Sequence, residues 1–91
     1  MMPLLLEART LLQKTIVVAE RTLRPEDYSM LSLRLNYLQT ILFPLSTPEA
    51  ERREAMSAVE GIVETARRVF GREHHITKDA ERTLRNFART F

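Results

Sequence analysis

The chain lacks cysteine and tryptophan altogether, and it has only two glycines and four prolines among its 91 residues. Without cysteine it can form no disulfide, no thiolate metal site and no cysteine nucleophile. So little glycine and proline excludes a collagen-like chain and a low-complexity linker. The residues that are present, 44% hydrophobic and 29% charged, are typical of a single small folded domain.

Neither one sign of charge nor a long apolar run dominates the sequence. Fourteen basic residues against twelve acidic ones give a net charge of +2. Proteins that bind nucleic acids usually concentrate basic residues on one face, and here both signs are spread throughout. The longest uncharged stretch, residues 35–48, is shorter than the ~20 apolar residues of a membrane span. Met1–Leu6 has no basic lead, so no secretory signal is predicted. We therefore expect a cytoplasmic protein that binds neither nucleic acid nor membrane.

Proline and glycine divide the sequence into four segments of helical length. Breaks at Pro25, at residues 44–48 and at Gly71 predict helices over about residues 3–24, 25–43, 47–70 and 75–91. Apolar residues recur within them at three- and four-residue steps. The predicted core positions include Leu12, Leu38, Ile62, Ala66, Leu84 and Phe87. Short turns make neighbouring helices antiparallel, so the predicted fold is all-α with four antiparallel helices.

Specific end signals occur at both ends of the third helix. Ser46 and Glu49 have the spacing of a capping box, and Thr47-Pro48 offers an alternative cap. Gly71 follows the last periodic residue, where a left-handed helix end favours glycine.

One helix pair recurs in the sequence at an offset of 47 residues, which is the pattern of a helical repeat. The matching positions are Glu7, Ala8, Ala19, Arg21 and Glu26, which return as Glu54, Ala55, Ala66, Arg68 and Glu73.

The helix junctions resemble those of tetratricopeptide repeats (TPR) of the kinesin-light-chain type. Residues 70–77, Phe-Gly-Arg-Glu-His-His-Ile-Thr, look like the family's L-G-P-E-H-P-D-T turn. Residues 23–27 are similar to the same turn, and residues 34–37, Arg-Leu-Asn-Tyr, follow where the family has R-N-N-L. The turn also resembles the C-terminal helical domain of SET/MYND methyltransferases. The resemblance implies stacked helical hairpins, and a plain four-helix bundle is the alternative.

No catalytic, cofactor or metal motif is found, so we expect no enzyme activity and no cofactor. Glu73-His74-His75 with Asp79 is the only cluster of metal-ligand types, and it lacks histidines one helical turn apart. Carboxylates along the third helix are interpreted as exposed ion-pair partners of nearby arginines. Those arginines are Arg52, Arg53, Arg67 and Arg68.

The resemblance implies that the second and fourth helices share a peptide-binding face. Asn36 corresponds to the family's peptide-binding asparagine, and Arg34 precedes it. Arg82 and Arg85, one turn apart on the fourth helix, are the remaining candidates, although a solvated basic stripe is the simpler interpretation of that helix. The predicted ligand is an extended, acidic protein or peptide segment.

An interaction module is therefore the leading functional hypothesis. The alternatives are a structural unit that forms a homo-oligomer or belongs to a larger assembly, and the helical C-terminal fragment of a SET/MYND-type methyltransferase. The first alternative depends on apolar residues in excess of what one small bundle easily buries, among them Leu31, Leu33, Leu35, Phe43, Leu45 and Phe91.

Overall fold

A computed structural model of the chain describes residues 3–88, with side chains from Leu6 onwards. These residues form four helices and no strand, which confirms the all-α prediction. The helices are α1 (Pro3–Ala19), α2 (Tyr28–Leu42), α3 (Glu49–Val69) and α4 (His75–Ala88). Residues 89–91, predicted as the end of the last helix, lie outside the described residues. Within the described part, no helix combines the length and apolar character that crossing a bilayer requires.

The connection between α1 and α2 is longer than predicted. Helix α1 ends at Ala19 instead of residue 24, and α2 begins at Tyr28 instead of residue 25. Proline disfavours helical geometry in the residue before it, so Pro25 breaks the helix ahead of Arg24 instead of opening the next one. The N-cap of α2 is Asp27, whose carboxylate accepts a hydrogen bond from the backbone N–H of Ser29 at 2.8 Å.

Of the two predictions for the ends of α3, the one for its start is wrong and the one for its C-terminal end is confirmed. Its N-cap is Pro48, with no side-chain capping bond, so the predicted caps at Ser46 and Thr47 are wrong. Thr47 Oγ1 instead donates to the carbonyl of Ile41, 2.8 Å away. At the other end, Gly71 has φ of 90°, and its N–H donates to the carbonyls of Ala66 and Arg67. The predicted left-handed glycine end is confirmed.

Helix α2 lies at the centre of the molecule and contacts each of the other three helices. Helices α1 and α2 form one antiparallel hairpin and α3 and α4 form another, packed side by side. The Cα extents of 36 × 31 × 19 Å give a slab whose thin dimension equals two layers of helices. Apolar side chains of α2, α3 and α4 form the buried core, which includes Leu35, Leu42, Val59, Val63, Ile76 and Ala80.

The predicted core positions are confirmed best on α2 and α3, where Leu38, Ile62 and Ala66 are buried. Leu84 and Phe87 of α4 are half-buried against the core, and Leu12 of α1 is also only half-buried. Among the described helices, the backbone of α1 approaches only that of α2, and much of the remaining α1 surface is exposed. Leu11, which precedes the predicted core residue Leu12, is 66% exposed, so α1 buries its apolar residues only in part.

Candidate functional site

A groove lies between α1 and α3, with α2 as its floor. It forms because both outer helices pack on α2 while their backbones do not approach each other within the described residues. Its volume is about 760 Å³. We call it the α1–α3 groove. The floor is formed by Leu31, Tyr37 and Leu38, one wall by Gln13, Ile16 and Val17, and the other wall by Ala58, Gly61, Ile62 and Thr65.

Two smaller hollows extend the groove along the whole of α3. A hollow of about 350 Å³ toward the start of α3 shares Tyr37, Leu38 and Ala58 with it and adds the carboxylates of Glu51 and Glu54. Another hollow, toward the end of α3, shares Thr65 and Arg68 with the groove and adds Arg72. The combined surface is apolar in the middle and charged at both ends.

The two polar side chains on the α1 side of the groove, Gln13 and Arg9, each donate one hydrogen bond within the fold, and the buried Nε of Arg9 has no partner among the described residues. Gln13 donates from Nε2 to the hydroxyl of Tyr37 at 3.1 Å. Arg9 donates to the carbonyl of Thr40 at 3.0 Å, close to the end that carries Glu51 and Glu54. These two hydrogen bonds hold α1 against α2 and leave the groove open toward α3.

The charged side chains on the α3 side of the groove, in contrast, form no ion pairs with described residues. Arg68 and Arg72 make no ion pair within residues 6–88, although Glu26 lines the groove with Arg68 and Glu64 lines the hollow that holds both arginines. Glu51 and Glu54 at the opposite end are likewise without an ion pair to any described residue. Because they are solvated and unpaired, these side chains are available to a molecule in the groove.

Gly61 lies at the middle of the α3 wall, where the absence of a side chain makes the groove wider. It lies inside a helix, where glycine costs about 0.5–1 kcal/mol relative to alanine. A β-carbon added there would meet no atom within 4 Å, so close packing inside the fold does not require glycine. The residue leaves open space next to the apolar floor.

We expect Gly61→Ala to raise the free energy of unfolding by about 0.5–1 kcal/mol, because alanine is the better helix former and its methyl group meets nothing. Gly71→Ala is the matched change with the opposite sign. Its φ of 90° is left-handed, which costs other residues about 1–2 kcal/mol. Urea denaturation of both variants measures the two effects. A loss of stability at Gly61 would contradict the open space around it.

The structure places Arg34 and Asn36, two of the four residues predicted to bind a partner, on different sides of α2. Arg34 lines the α1–α3 groove and forms an ion pair with Glu20 at 3.3 Å. Asn36 is two residues further along α2, about 200° around the helix, so it lies on another side. It is exposed, which excludes a buried structural amide. On α4, Arg82 pairs with Asp79 of its own helix at 3.1 Å, and Arg85 is exposed in the last turn.

Aromatic and histidine rings join the beginnings of α2 and α4. The hydroxyl of Tyr28 lies 2.5 Å from Nε2 of His75. The rings of His74 and His75 stack with centroids 4.6 Å apart, and Phe70 lies against His74 at 4.8 Å. Among the described residues, no three potential metal ligands converge. The sequence predicted a polar turn here but not its contact with Tyr28. Tyr28 and His75 are 47 residues apart, which is the offset of the repeat, and this spacing was the available signal for the contact.

One of the predicted ion-pair arginines is buried. Arg52 is only 7% exposed, and its guanidinium donates to the carbonyl of Pro44 at 2.8 Å, so the exposed position predicted for it is wrong. Its neighbour Arg53 does make an i,i+4 pair with Glu49, at 2.7 Å. Arg67 bridges α3 and α4 by pairing with Glu81. Arg52 therefore holds the loop that precedes α3 and does not lie on the exposed surface of the helix.

Comparison with protein-family models, curated proteins and solved structures finds no match to this chain. The resemblance to tetratricopeptide repeats and to the SET/MYND helical domain stays a prediction.

Proposed function

We propose that this chain is a non-enzymatic protein-interaction module of TPR-like helical hairpins, and that a partner protein binds in the α1–α3 groove. The observation that carries the proposal is the groove itself, an open apolar surface with unpaired charges at its ends. Exposed apolar surfaces rimmed by polar residues typically mark contact sites. Of the four residues predicted from the sequence, Arg34 belongs to this surface.

The order of the helices supports the stacked-hairpin part of the proposal. Helices α2 and α4 begin 47 residues apart, at Tyr28 and His75, and these two side chains are in contact. A closed four-helix bundle would also place α1 beside α4, and the two helices do not approach each other within residues 3–88. Stacked hairpins do not require α1 to contact α3, and the backbones of these two helices do not approach each other within residues 3–88.

Photo-crosslinking from the groove tests this function. Ala58 is exposed and lines the groove, so p-benzoylphenylalanine at that position is expected to capture one or a few partner proteins in cells of the source organism. Ala88 is an exposed alanine in the last turn of α4, lines neither the groove nor its two extensions, and is the matched control, with no discrete adduct expected. Adducts separated by gel and identified by mass spectrometry give the readout. No adduct from Ala58, nor from Val17 on the facing wall, would contradict the proposal.

Self-association is the second candidate function, and the outer face of α1 favours it. Leu11 and Val18 are 66% and 63% exposed and lie two helical turns apart, so they share one side of the helix. Leu6 is also exposed. A second copy that covered this face would make the chain a homo-oligomer or an assembly subunit.

The test of self-association is sedimentation at high micromolar concentration. We expect a dimer or larger species, and we expect Leu11→Glu to shift the chain to the monomer, because a charge at an apolar contact is costly to bury. Since Leu11 is exposed in the single chain, the variant should keep its helical content by circular dichroism. A strict monomer for the unmodified protein would reject this candidate.

A further inference from the structure

The shape and charge of the α1–α3 groove indicate which kind of partner segment it takes. We propose that the groove binds an amphipathic α-helix of about four turns from a partner protein, lying antiparallel to α3. This inference rests on the proposed interaction function and specifies its ligand. It differs from the sequence-based expectation, which was an extended acidic peptide on the face of Asn36.

The groove favours a helix because its interior offers few free hydrogen-bonding groups. Gln13 and Tyr37 are bonded to each other, and Arg34 is engaged by Glu20. The remainder of the lining is mainly apolar, with Ile16, Val17, Leu31, Leu38 and Ile62. An extended segment would bring its backbone N–H and carbonyl groups into this surface without partners, which is costly. A helix satisfies its own backbone and presents only side chains.

The distance between the charged ends sets the length of the bound helix. Glu54 and Arg68 are 14 positions apart on α3. At 1.5 Å per residue this corresponds to ~21 Å, or about four helical turns. A shorter helix would not reach both charged ends, and an apolar stripe at three- and four-residue steps would cover the floor between them.

Charge complementarity sets the direction of the bound helix. Acidic residues stabilise the first turn of a helix and basic residues its last turn, and α3 follows this rule with Glu51 early and Arg68 late. A partner helix of the same kind, placed antiparallel, brings its acidic start to Arg68 and Arg72. Its basic end then meets Glu51 and Glu54. A parallel placement would bring like charges together at both ends.

The small residues on the α3 wall allow the bound helix to approach closely. Ala58 and Gly61 lie three positions apart, one turn along the same side of α3. A β-carbon added at Gly61 would meet no atom within 4 Å, so no other part of the fold occupies the space beside this residue. Large apolar side chains of the partner fit opposite these two positions.

Selection from a displayed library of 18-residue peptides on the full chain tests the inference. We expect enriched sequences with apolar residues at helical spacing, acids in the first turn and Lys or Arg in the last. Ala58→Arg should lower the affinity of these peptides about tenfold or more by blocking the groove, and Ala88→Arg, on the exposed last turn of α4, should leave it within about twofold. Arg68→Glu with Arg72→Glu should weaken acid-first peptides by a similar factor. Thermal melts of each variant establish that the chain remains folded.

The outcomes separate this inference from the function on which it rests. Enriched peptides without a helical period, or peptides that bind Ala58→Arg as tightly as the unmodified chain, overturn the helix-in-groove assignment and leave an interaction module. Enrichment of basic-first peptides overturns the antiparallel direction. No enriched peptide, together with no crosslink from Ala58, overturns both the inference and the proposed function.

Discussion

Leu42→Ala is expected to lower the free energy of unfolding by about 2–5 kcal/mol, the usual cost of a large-to-small change in a packed core. Leu42 is 0% exposed and belongs to the core cluster in which the last turn of α2 packs against α3 and α4. The truncation removes buried apolar surface and leaves a cavity. Because small domains have only about 5–15 kcal/mol of stability in total, the change should move the urea midpoint strongly.

Leu45→Ala is the matched control for this prediction, because it makes the same chemical change three residues along the chain. Leu45 is 89% exposed, so its truncation should alter the free energy of unfolding by less than about 0.5 kcal/mol. Urea denaturation followed by circular dichroism measures both variants. Equal effects at the two leucines would show that α2 does not bury its last turn.

Arg52→Ala is expected to cost about 1–3 kcal/mol, because it leaves the buried carbonyl of Pro44 without the donor that lies 2.8 Å away. The aliphatic part of the side chain also packs in the interior, and its loss adds to the cost. The contact fixes the loop between α2 and α3, so the effect reaches the first turn of α3. A thermal melt and a urea titration both report this change.

Arg53→Ala provides the comparison from the adjacent position. Its side chain is 71% exposed and pairs with Glu49 one turn away, an interaction worth about 0.3–0.5 kcal/mol. Arg52→Lys adds a second check, because an ammonium group has no planar fork with which to reproduce the guanidinium contact. If Arg52→Ala were no more harmful than Arg53→Ala, the buried hydrogen bond would make no net contribution to stability.

Arg52 and Arg53 also illustrate what remained unpredictable from the sequence. Both lie in one charged stretch of α3, and both are four or fewer positions from a glutamate. The pattern therefore predicted two exposed ion pairs. Which arginine turns inward depends on where the loop carbonyl of Pro44 lies, and that position is fixed by contacts between helices.

The candidate site was predictable only in part, for a similar reason. Arg34 was selected from its place in a family-like motif, and it does line the α1–α3 groove. The groove itself had no sequence signal, because it exists only through the separation of α1 and α3 on the surface of α2. Gly61 was visible as an isolated glycine in a helical stretch, but its role depends on the open space beside it.

The sequence by itself determined the number of helices, the all-α class and the left-handed end at Gly71. These features follow from interactions within a few residues, namely helical periodicity, proline geometry and the steric freedom of glycine. Tertiary structure alone decided that α1 buries only the side that faces α2, that Arg52 lies inside, and that a groove separates α1 from α3. Burial and surface shape depend on the positions of elements distant in sequence, and no local pattern of residues specifies those positions.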